Sequence, residues 1–216
     1  MFPSLVLGQI ISAIDLQLLT ASSAEAEERN AVIVDFIQSS HRRRRNVPEQ
    51  DFIILHIYRS HVWPSTQYRV WTIGYSASEN MWSCDEIELP TATAVVVTLG
   101  SGARTAKAYT TRWAASDAGG TSRAIFSAFC DALSSGEDRL SGGMPQLNAL
   151  YTEGSPRPLG VVENNQLFLH GLPIKWSGAL ANIEWCDRLF NRLDPLTMKQ
   201  ASGARRFARP TNSGIR

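Results

Sequence analysis

The sequence predicts an α+β protein in which helices cover antiparallel sheets. Helical and strand patterns occur in separate runs along the 216 residues, in the order helix, helix, four strands, helix, helix, strands, helix. Such runs, rather than strict alternation, are typical of α+β layers. With 44% hydrophobic residues and six tryptophans, a chain of this length can bury a sizeable core without disulfides or metals.

Two helices are predicted before the first strand. Apolar residues recur at steps of three and four between residues 8 and about 20, which indicates an amphipathic helix. A second apolar stripe spans residues 24 to about 40, and glutamates favour its N-terminal turn. The sequence HRRRR ends this helix, because arginines complement the helix dipole there and Pro48 blocks continuation.

The middle of the chain is rich in β-branched and aromatic residues and predicts an antiparallel meander. Its four strands are 51–58, 67–76, 80–89 and 91–100. FIILHI in the first strand and TAVVVTL in the last are nearly continuous apolar runs. We therefore expect these strands to be covered on both faces, or on one face with tight packing.

The second half of the chain predicts two more helices, a set of strands and a last helix. The helices are 103–115 and 122–136, the strands are 144–154 and 158–174 with a hairpin turn at 163–165, and the last helix is 181–194. Residues 1–199 are interpreted as one domain. Residues 200–216, with Gly, Pro and Arg and few apolar residues, are interpreted as a flexible basic tail.

Composition and charge argue against several classes of function. The net charge of +1 gives no overall field towards nucleic acid or anionic lipid. The apolar N-terminal run lacks a positively charged start and a cleavage site, and it is shorter than a membrane span. Three widely spaced cysteines without a C-x-x-C pair indicate reduced thiols. We expect a cytoplasmic protein with no membrane partner, no cofactor and no metal.

Several reactive residues leave alternatives open. The HRRRR run is either a solvated helix end or, together with the basic tail, a nucleic-acid patch, and no aromatic platform is interleaved with the run. His56 and His170 lie in apolar strand patterns, which are typical of core or edge residues. Cys84 followed by Asp85 is compatible with thiol chemistry, but nothing in the sequence orients this group.

Ser101 lies in the sequence LGSGA, between a predicted strand and a predicted helix. The segment is not a nucleophile elbow, because the residue two places before the serine is Leu99 rather than glycine. It is not a phosphate-binding loop either, because Lys107 is not preceded by glycine. A tight connection with Ser101 as a helix cap is one interpretation, and a functional site is the other.

The order TLGSGA, helix, helix, DRLSGG, strand resembles the proteasome β-type branch of the N-terminal nucleophile hydrolases, of the bacterial homologue type. The resemblance covers most of Gly8 to Ile174. It implies an αββα sandwich of antiparallel sheets flanked by helices, without a cofactor. It also implies that Ser101, Asp138 and Ser141 are accessory catalytic residues, which support the position and the proton transfers of an N-terminal threonine. Gly142 and Gly143 would form the tight turn.

The start of the chain departs from this family. Members need a Thr, Ser or Cys at the mature N-terminus, whose α-amine serves as base, and an Asp and a Lys on the first two strands. This chain opens with MFP and continues into a predicted helix, and neither Ser4 nor Thr20 precedes the expected strands. The sequence therefore predicts an N-terminally incomplete member that is inactive as written, and we assign no nucleophile.

Three functions are compatible with the sequence. The first is hydrolysis of peptide or amide bonds, as in a threonine protease, by a form whose start lies upstream of Met1. The second is a non-catalytic structural subunit, since the resemblance implies a homo-oligomer as well as a peptide or protein substrate. The third is a nucleic-acid-associated module that uses the basic run and the tail, which the small net charge disfavours.

Overall fold

The chain folds into two compact units, Met1–Leu89 (unit 1) and Pro90–Arg216 (unit 2). The structure, a computed structural model, describes residues 2–16, 18–19, 25–44, 50–62 and 65–210. Helices and β-strands occur in both units, so the predicted α+β class is confirmed. Within these ranges no helix combines the length and the apolar character that crossing a bilayer requires. The single domain expected over residues 1–199 stays a prediction.

Unit 1 is a helix pair followed by an antiparallel meander. Its elements are α1 (Phe2–Asp15), α2 (Ala26–Arg43), β1 (Phe52–Val62), β2 (Ser65–Ser76) and β3 (Met81–Ile87), and the strand order is β1-β2-β3. The two predicted helices and the first three predicted strands are confirmed, although α1 begins at Phe2 rather than Gly8. Glutamates in the first turn of α2 and arginines in its last turn interact favourably with the helix dipole and so stabilise the helix.

The core of unit 1 lies between the helices and one face of this sheet. Its buried residues are Val6, Ile10, Ile33, Ile37, Ile54 and Ile73. Successive side chains of a strand point to opposite faces. Ile53, Leu55 and Ile57 of β1 lie on the other face and are 55%, 40% and 54% exposed. Of the two arrangements expected for this strand, the structure has the one in which a single face is packed.

Unit 2 combines a helix pair with a mixed sheet. Its helices are α3 (Ala103–Ala114), α4 (Ser122–Ser135) and a 3-10 helix (Gly178–Leu180). Its strands are β4 (Leu147–Ala149), β5 (Arg157–Glu163), β6 (Gln166–Leu169), β7 (Leu172–Ile174), β8 (Glu184–Cys186) and β9 (Arg192–Leu193). The sheet order is β7-β6-β5-β8-β9, with β4 paired to β5. β5 and β8 are parallel, and the other pairs are antiparallel.

The helix pair of unit 2 packs around Trp113, which is fully buried among alanines. Its indole N–H donates to Oδ2 of Asp131 on α4 at 2.8 Å. Thr121 caps α4 by accepting the N–H of Ala124 at 3.1 Å, and Gly136 ends the helix with a φ of 66°. Both helix ends agree with the sequence prediction, and the second one fixes where the DRLSGG loop begins.

The other side of α4 packs on the sheet. Phe126 and Cys130 form a buried cluster with Val161 of β5 and Cys186 of β8. Burial raises the pKa of the Cys130 and Cys186 thiols to about 12. Both thiols are therefore protonated at neutral pH and act as packing residues, because only a thiolate is a good nucleophile.

The helix predicted over residues 181–194 is wrong, since this segment contains β8, a turn and β9. Trp185 and Cys186 are adjacent in sequence and both buried, yet they belong to clusters on different sides of the sheet. Such alternation is typical of a strand, whereas the spacing of the neighbouring apolar residues had indicated a helix. Asp187 then accepts two backbone N–H groups through Oδ1 and turns the chain.

The strand predicted over residues 91–100 is also wrong. This segment has no ladder partner within the described ranges of the chain. A strand forms only where a neighbour satisfies its N–H and C=O groups. Bends at residues 91–93 separate the segment from β3, and the apolar run 94–99 that follows has no regular secondary structure.

Residues 200–210 pack against the rest of unit 2, which corrects the expectation of a flexible tail for this part of the chain. Oδ1 of Asn191 accepts the N–H of Phe207 at 2.6 Å. The Arg209 guanidinium makes two hydrogen bonds of 2.8 Å with the Asp131 carboxylate, and it also lies over the Trp113 ring. Residues 211–216 of the predicted tail lie outside the described residues.

Candidate functional site

The connection between the 94–99 segment and α3 carries Ser101. Gly100 has a φ of 85°, a conformation that favours glycine, and this turn presents the serine at the start of the helix. Gly102 lies against the DRLSGG loop, where an added Cβ would be 3.1 Å from Oδ2 of Asp138 and 3.1 Å from Oγ of Ser141. The second glycine of LGSGA therefore permits the close approach of the two loops.

The loop after α4 carries Asp138 and Ser141. The Asp138 carboxylate organises it, because Oδ1 accepts the N–H of Leu140 at 3.2 Å and Oδ2 accepts the hydroxyl of Ser141 at 2.5 Å. The Ser141 N–H closes a turn on the Asp138 carbonyl at 3.3 Å. Gly143 then has a φ of 79°, as the predicted tight turn requires.

The structure brings all three predicted site residues together. The hydroxyl of Ser101 donates to Oδ2 of Asp138 at 2.8 Å, although the two residues are 37 positions apart in sequence. Oδ2 therefore accepts two serine hydroxyls, one from each loop. Close by, Thr105 of α3 donates to the Glu137 carboxylate at 3.4 Å and further ties the helix to the loop.

These hydrogen bonds set the electrostatics of the cluster. The hydroxyls of Ser141 and Ser101, in that order, and the Leu140 N–H hold the pKa of Asp138 below its usual range. The carboxylate is thus ionised at neutral pH and is a weak base, although it accepts three hydrogen bonds. Both serine hydroxyls remain protonated, and the cluster can orient and stabilise a positive or proton-donating group.

A cavity of about 390 Å³ opens beside this cluster within unit 2. Its walls are mostly apolar and come from the 94–99 segment, α3 and α4; they include Val95, Val97, Leu99, Ile125, Phe129 and Leu133. Ser101, Asp138 and Ser141 form part of the lining. The TAVVVTL run predicts a covered strand at this place, and no feature of the sequence predicts the cavity.

A second hydrogen-bonded cluster, which we call the Asn30 cluster, lies in unit 1 and consists of His56, Asn30 and Cys84. The His56 Nδ1 and the Asn30 Oδ1 are 2.9 Å apart, and Nδ2 of Asn30 donates to Sγ of Cys84 at 3.3 Å. Nothing in the sequence marks Asn30, a helical asparagine, as the residue that links His56 to Cys84. His170 lies in the turn between β6 and β7.

Metal-ligating residues do not gather in the described part of the chain. No group of three or more His, Cys, Asp or Glu side chains there could hold a metal ion. The comparisons with known proteins are negative as well: no family model, no curated protein and no solved structure matches the chain.

Proposed function

We propose that unit 2 carries the accessory half of a hydrolase site of the N-terminal nucleophile type, similar to a proteasome β subunit. The substrate class is peptide or amide bonds, and the fold expected for the whole enzyme is an αββα sandwich. The observation that supports this proposal is the convergence of Ser101 and Ser141 on one carboxylate oxygen of Asp138. The resemblance implied a common role for these residues, and their distance in sequence makes chance contact a weaker explanation.

The roles of the three residues follow from their protonation. Asp138, ionised and fixed by three donors, would stabilise the positive charge that forms when the nucleophile loses its proton to the terminal amine. The two serine hydroxyls would keep the carboxylate in place and provide a route for protons. These groups position and support a nucleophile that is a terminal Thr, Ser or Cys.

Ser101 itself is not the nucleophile in this proposal. A serine attacks only when an adjacent base removes its proton. The sole acceptor that the structure gives for its hydroxyl, within the described residues, is the Asp138 carboxylate, whose pKa is lowered. Covalent labelling of Ser101 by an electrophilic inhibitor would contradict this assignment.

The test is peptide hydrolysis by the protein isolated from its native cell, after its intact mass and N-terminal residue have been determined. In a form with a terminal Thr, Ser or Cys, Asp138→Asn should lower kcat/KM at least about a hundredfold, because the variant keeps the size of the side chain and removes its charge. Asp117→Asn, at an exposed position of the same unit, is the matched control. Equal turnover in wild type and Asp138→Asn would refute the proposed role.

A non-catalytic subunit of an oligomer is the second candidate, and a different observation favours it. Ile53, Leu55 and Ile57 form an exposed apolar row on β1, and such surfaces are typical of protein interfaces. The purified chain should then sediment as a stable oligomer without hydrolysing peptides, and Leu55→Lys should dissociate it. A monomer at every protein concentration tested would exclude this function.

A further inference from the structure

Unit 2 contains a short basic segment, 204–209 (ARRFAR), which packs against the first turn of α4. Arg123 of that turn donates through Nη1 to the carbonyl of Ala208 at 3.3 Å, and its guanidinium lies over the Phe207 ring, with Cζ 4.4 Å from the ring centroid. The Arg205 guanidinium lies over the same ring at 5.4 Å. Phe207 thus holds together two guanidinium groups from distant parts of the sequence.

The basic segment is held in place at two points. Asn191, which is 5% exposed, accepts the Phe207 N–H through Oδ1 at 2.6 Å and donates to the Phe207 carbonyl through Nδ2 at 3.2 Å. Arg209 is fixed by its two hydrogen bonds with Asp131. A ligand would therefore meet an ordered surface, and binding would not have to include the cost of ordering the segment.

Most of the positive charge on this surface is not neutralised by the protein. Arg209 forms an ion pair with Asp131. Arg123, Arg205 and Arg206 form none with an acidic side chain among the residues that the structure describes. The first turn of α4 has no acidic residue either, so the positive end of the helix dipole adds to the charge of the arginines. An anion is therefore the ligand that complements this surface.

The arginines of this surface favour phosphate groups. A guanidinium has five N–H donors in a planar fork and binds two oxygens of a phosphate at once. Arg123 keeps donors for a ligand, because the hydrogen bond with Ala208 uses only Nη1. Since a nucleic acid carries one phosphate per nucleotide, its backbone can contact several of these guanidinium groups together.

A membrane surface also carries phosphate, but the residues around the arginines do not suit it. Peripheral membrane segments insert large apolar side chains between the lipids. The exposed residues of 201–210 are Ser202, Gly203, Arg205, Arg206, Ala208 and Arg209. Phe207 is half-buried, and its ring lies against two guanidinium groups. The surface therefore offers charge but no apolar anchor for a bilayer.

We propose that the surface formed by Arg123, Arg205 and Arg206 at the start of α4 binds the phosphate backbone of a nucleic acid. Each guanidinium contacts one phosphate, and the sequence of bases is not read, because backbone contacts carry no sequence information directly. The net charge of the chain is only +1, so this local surface, rather than the whole protein, supplies the attraction. It shares no residue with the proposed hydrolase site, so the inference does not depend on that function.

The experiment is fluorescence anisotropy of a labelled oligothymidylate of about 20 nucleotides, longer than typical single-strand sites, titrated with the full chain at neutral pH. Three phosphate contacts predict a slope of about −2 for log K against log salt concentration, so the affinity should fall about twentyfold between roughly 50 and 200 mM salt. No binding at the lowest salt concentration, or an affinity that does not change with salt, would overturn the proposal. Binding to phosphatidylglycerol vesicles without binding to the oligonucleotide would also overturn it, since the partner would then be a membrane.

Paired variants locate the binding surface. Arg205→Gln combined with Arg206→Gln should weaken oligonucleotide binding at least about tenfold and reduce the slope to about −0.7, because one phosphate contact remains. Arg42→Gln combined with Arg43→Gln, two exposed arginines at the end of α2, removes the same charge from unit 1 and should change neither value. Equal weakening by the two pairs would mean that binding follows total charge, and would overturn the proposal. Arg123→Gln should reduce the steepness of the slope by about 0.7, which gives a second test if the double variant does not fold.

Discussion

The two hydrogen-bonded clusters of the chain differ in charge and in what surrounds them. In the Asn30 cluster, donors and acceptors alternate, because His56 donates to the carbonyl of Asn30 and the Asn30 amide donates to Cys84. In the unit 2 cluster, both serines donate to Asp138 and an ionised carboxylate remains beside a cavity. The first arrangement links a helix to two strands, and the second places an ionised carboxylate beside a cavity.

Burial explains why His56 in the Asn30 cluster is neutral. Asn30 on α2 is only 7% exposed, and the His56 ring is stacked on Trp71 with a centroid distance of 5.2 Å. Desolvation and, to a smaller extent, the nearby Arg29 charge lower the pKa of His56, so the ring is neutral at physiological pH. Hydrogen bonds between side chains thus fix a helix to a sheet in unit 1 and join two loops beside a cavity in unit 2.

The largest expected effect concerns the thiol at the end of the Asn30 cluster. Cys84 is exposed, whereas Cys130 and Cys186 are buried with pKa values raised to about 12. A pKa three units above the ordinary value of 9.0 lowers the thiolate fraction at pH 8 about a thousandfold. Mass spectrometry after brief treatment with iodoacetamide should therefore show a single modification, at Cys84.

Cys84→Ser is the control for this labelling experiment, since it should remove the rapid reaction and leave the fold intact. In guanidinium chloride all three cysteines should react. Rapid modification of Cys130 or Cys186 in the native protein would mean that α4 and β8 open readily, and the contrast between the exposed and the buried thiols would then be lost.

The local rules that the sequence obeys explain which parts of the fold could be predicted. The sequence predicts a hairpin turn at residues 163–165. Asn164 and Asn165 both have a positive φ, as a tight two-residue hairpin turn requires. The predicted range of the second helix in the second half of the chain, residues 122–136, likewise agrees with α4 as observed, Ser122–Ser135. Each of these features depends on residues that are neighbours in sequence.

The parts that could not be predicted depend on partners far along the chain. Residues 91–100 have strand composition but no ladder partner in the part of the chain that the structure describes, and the segment 181–194 has helical spacing but contains β8, which pairs with β5. In the site, the proximity of Ser101 and Asp138 came from the resemblance rather than from spacing. The cavity could not be predicted from the sequence, because its walls come from the 94–99 segment, α3 and α4, which meet only in the folded chain.

The smallest expected effect is a difference in pH dependence between the two clusters. The pKa of His56 is below its ordinary value of 6.5, so the unfolded chain takes up this proton first as the pH falls. The full contribution of His56 to the free energy of unfolding is present above pH 6.5. This contribution decreases as the pH falls from 6.5 towards the folded-state pKa of His56. The pKa of Asp138 is below 3.8, so its contribution is complete above pH 3.8 and is lost as the pH falls through the folded-state value.

Hydrogen exchange of buried amides, measured between pH 7.5 and pH 3, reports on each unit separately. As the pH falls below 6.5 the amides of unit 1 should lose protection relative to a His56→Gln variant, whereas Asp138→Asn should change the pH dependence only below about pH 4, in unit 2. Each variant is thus the control for the other. The same pH profile in wild type and His56→Gln would contradict a neutral, desolvated His56, and the electrostatic difference between the two clusters would then be lost.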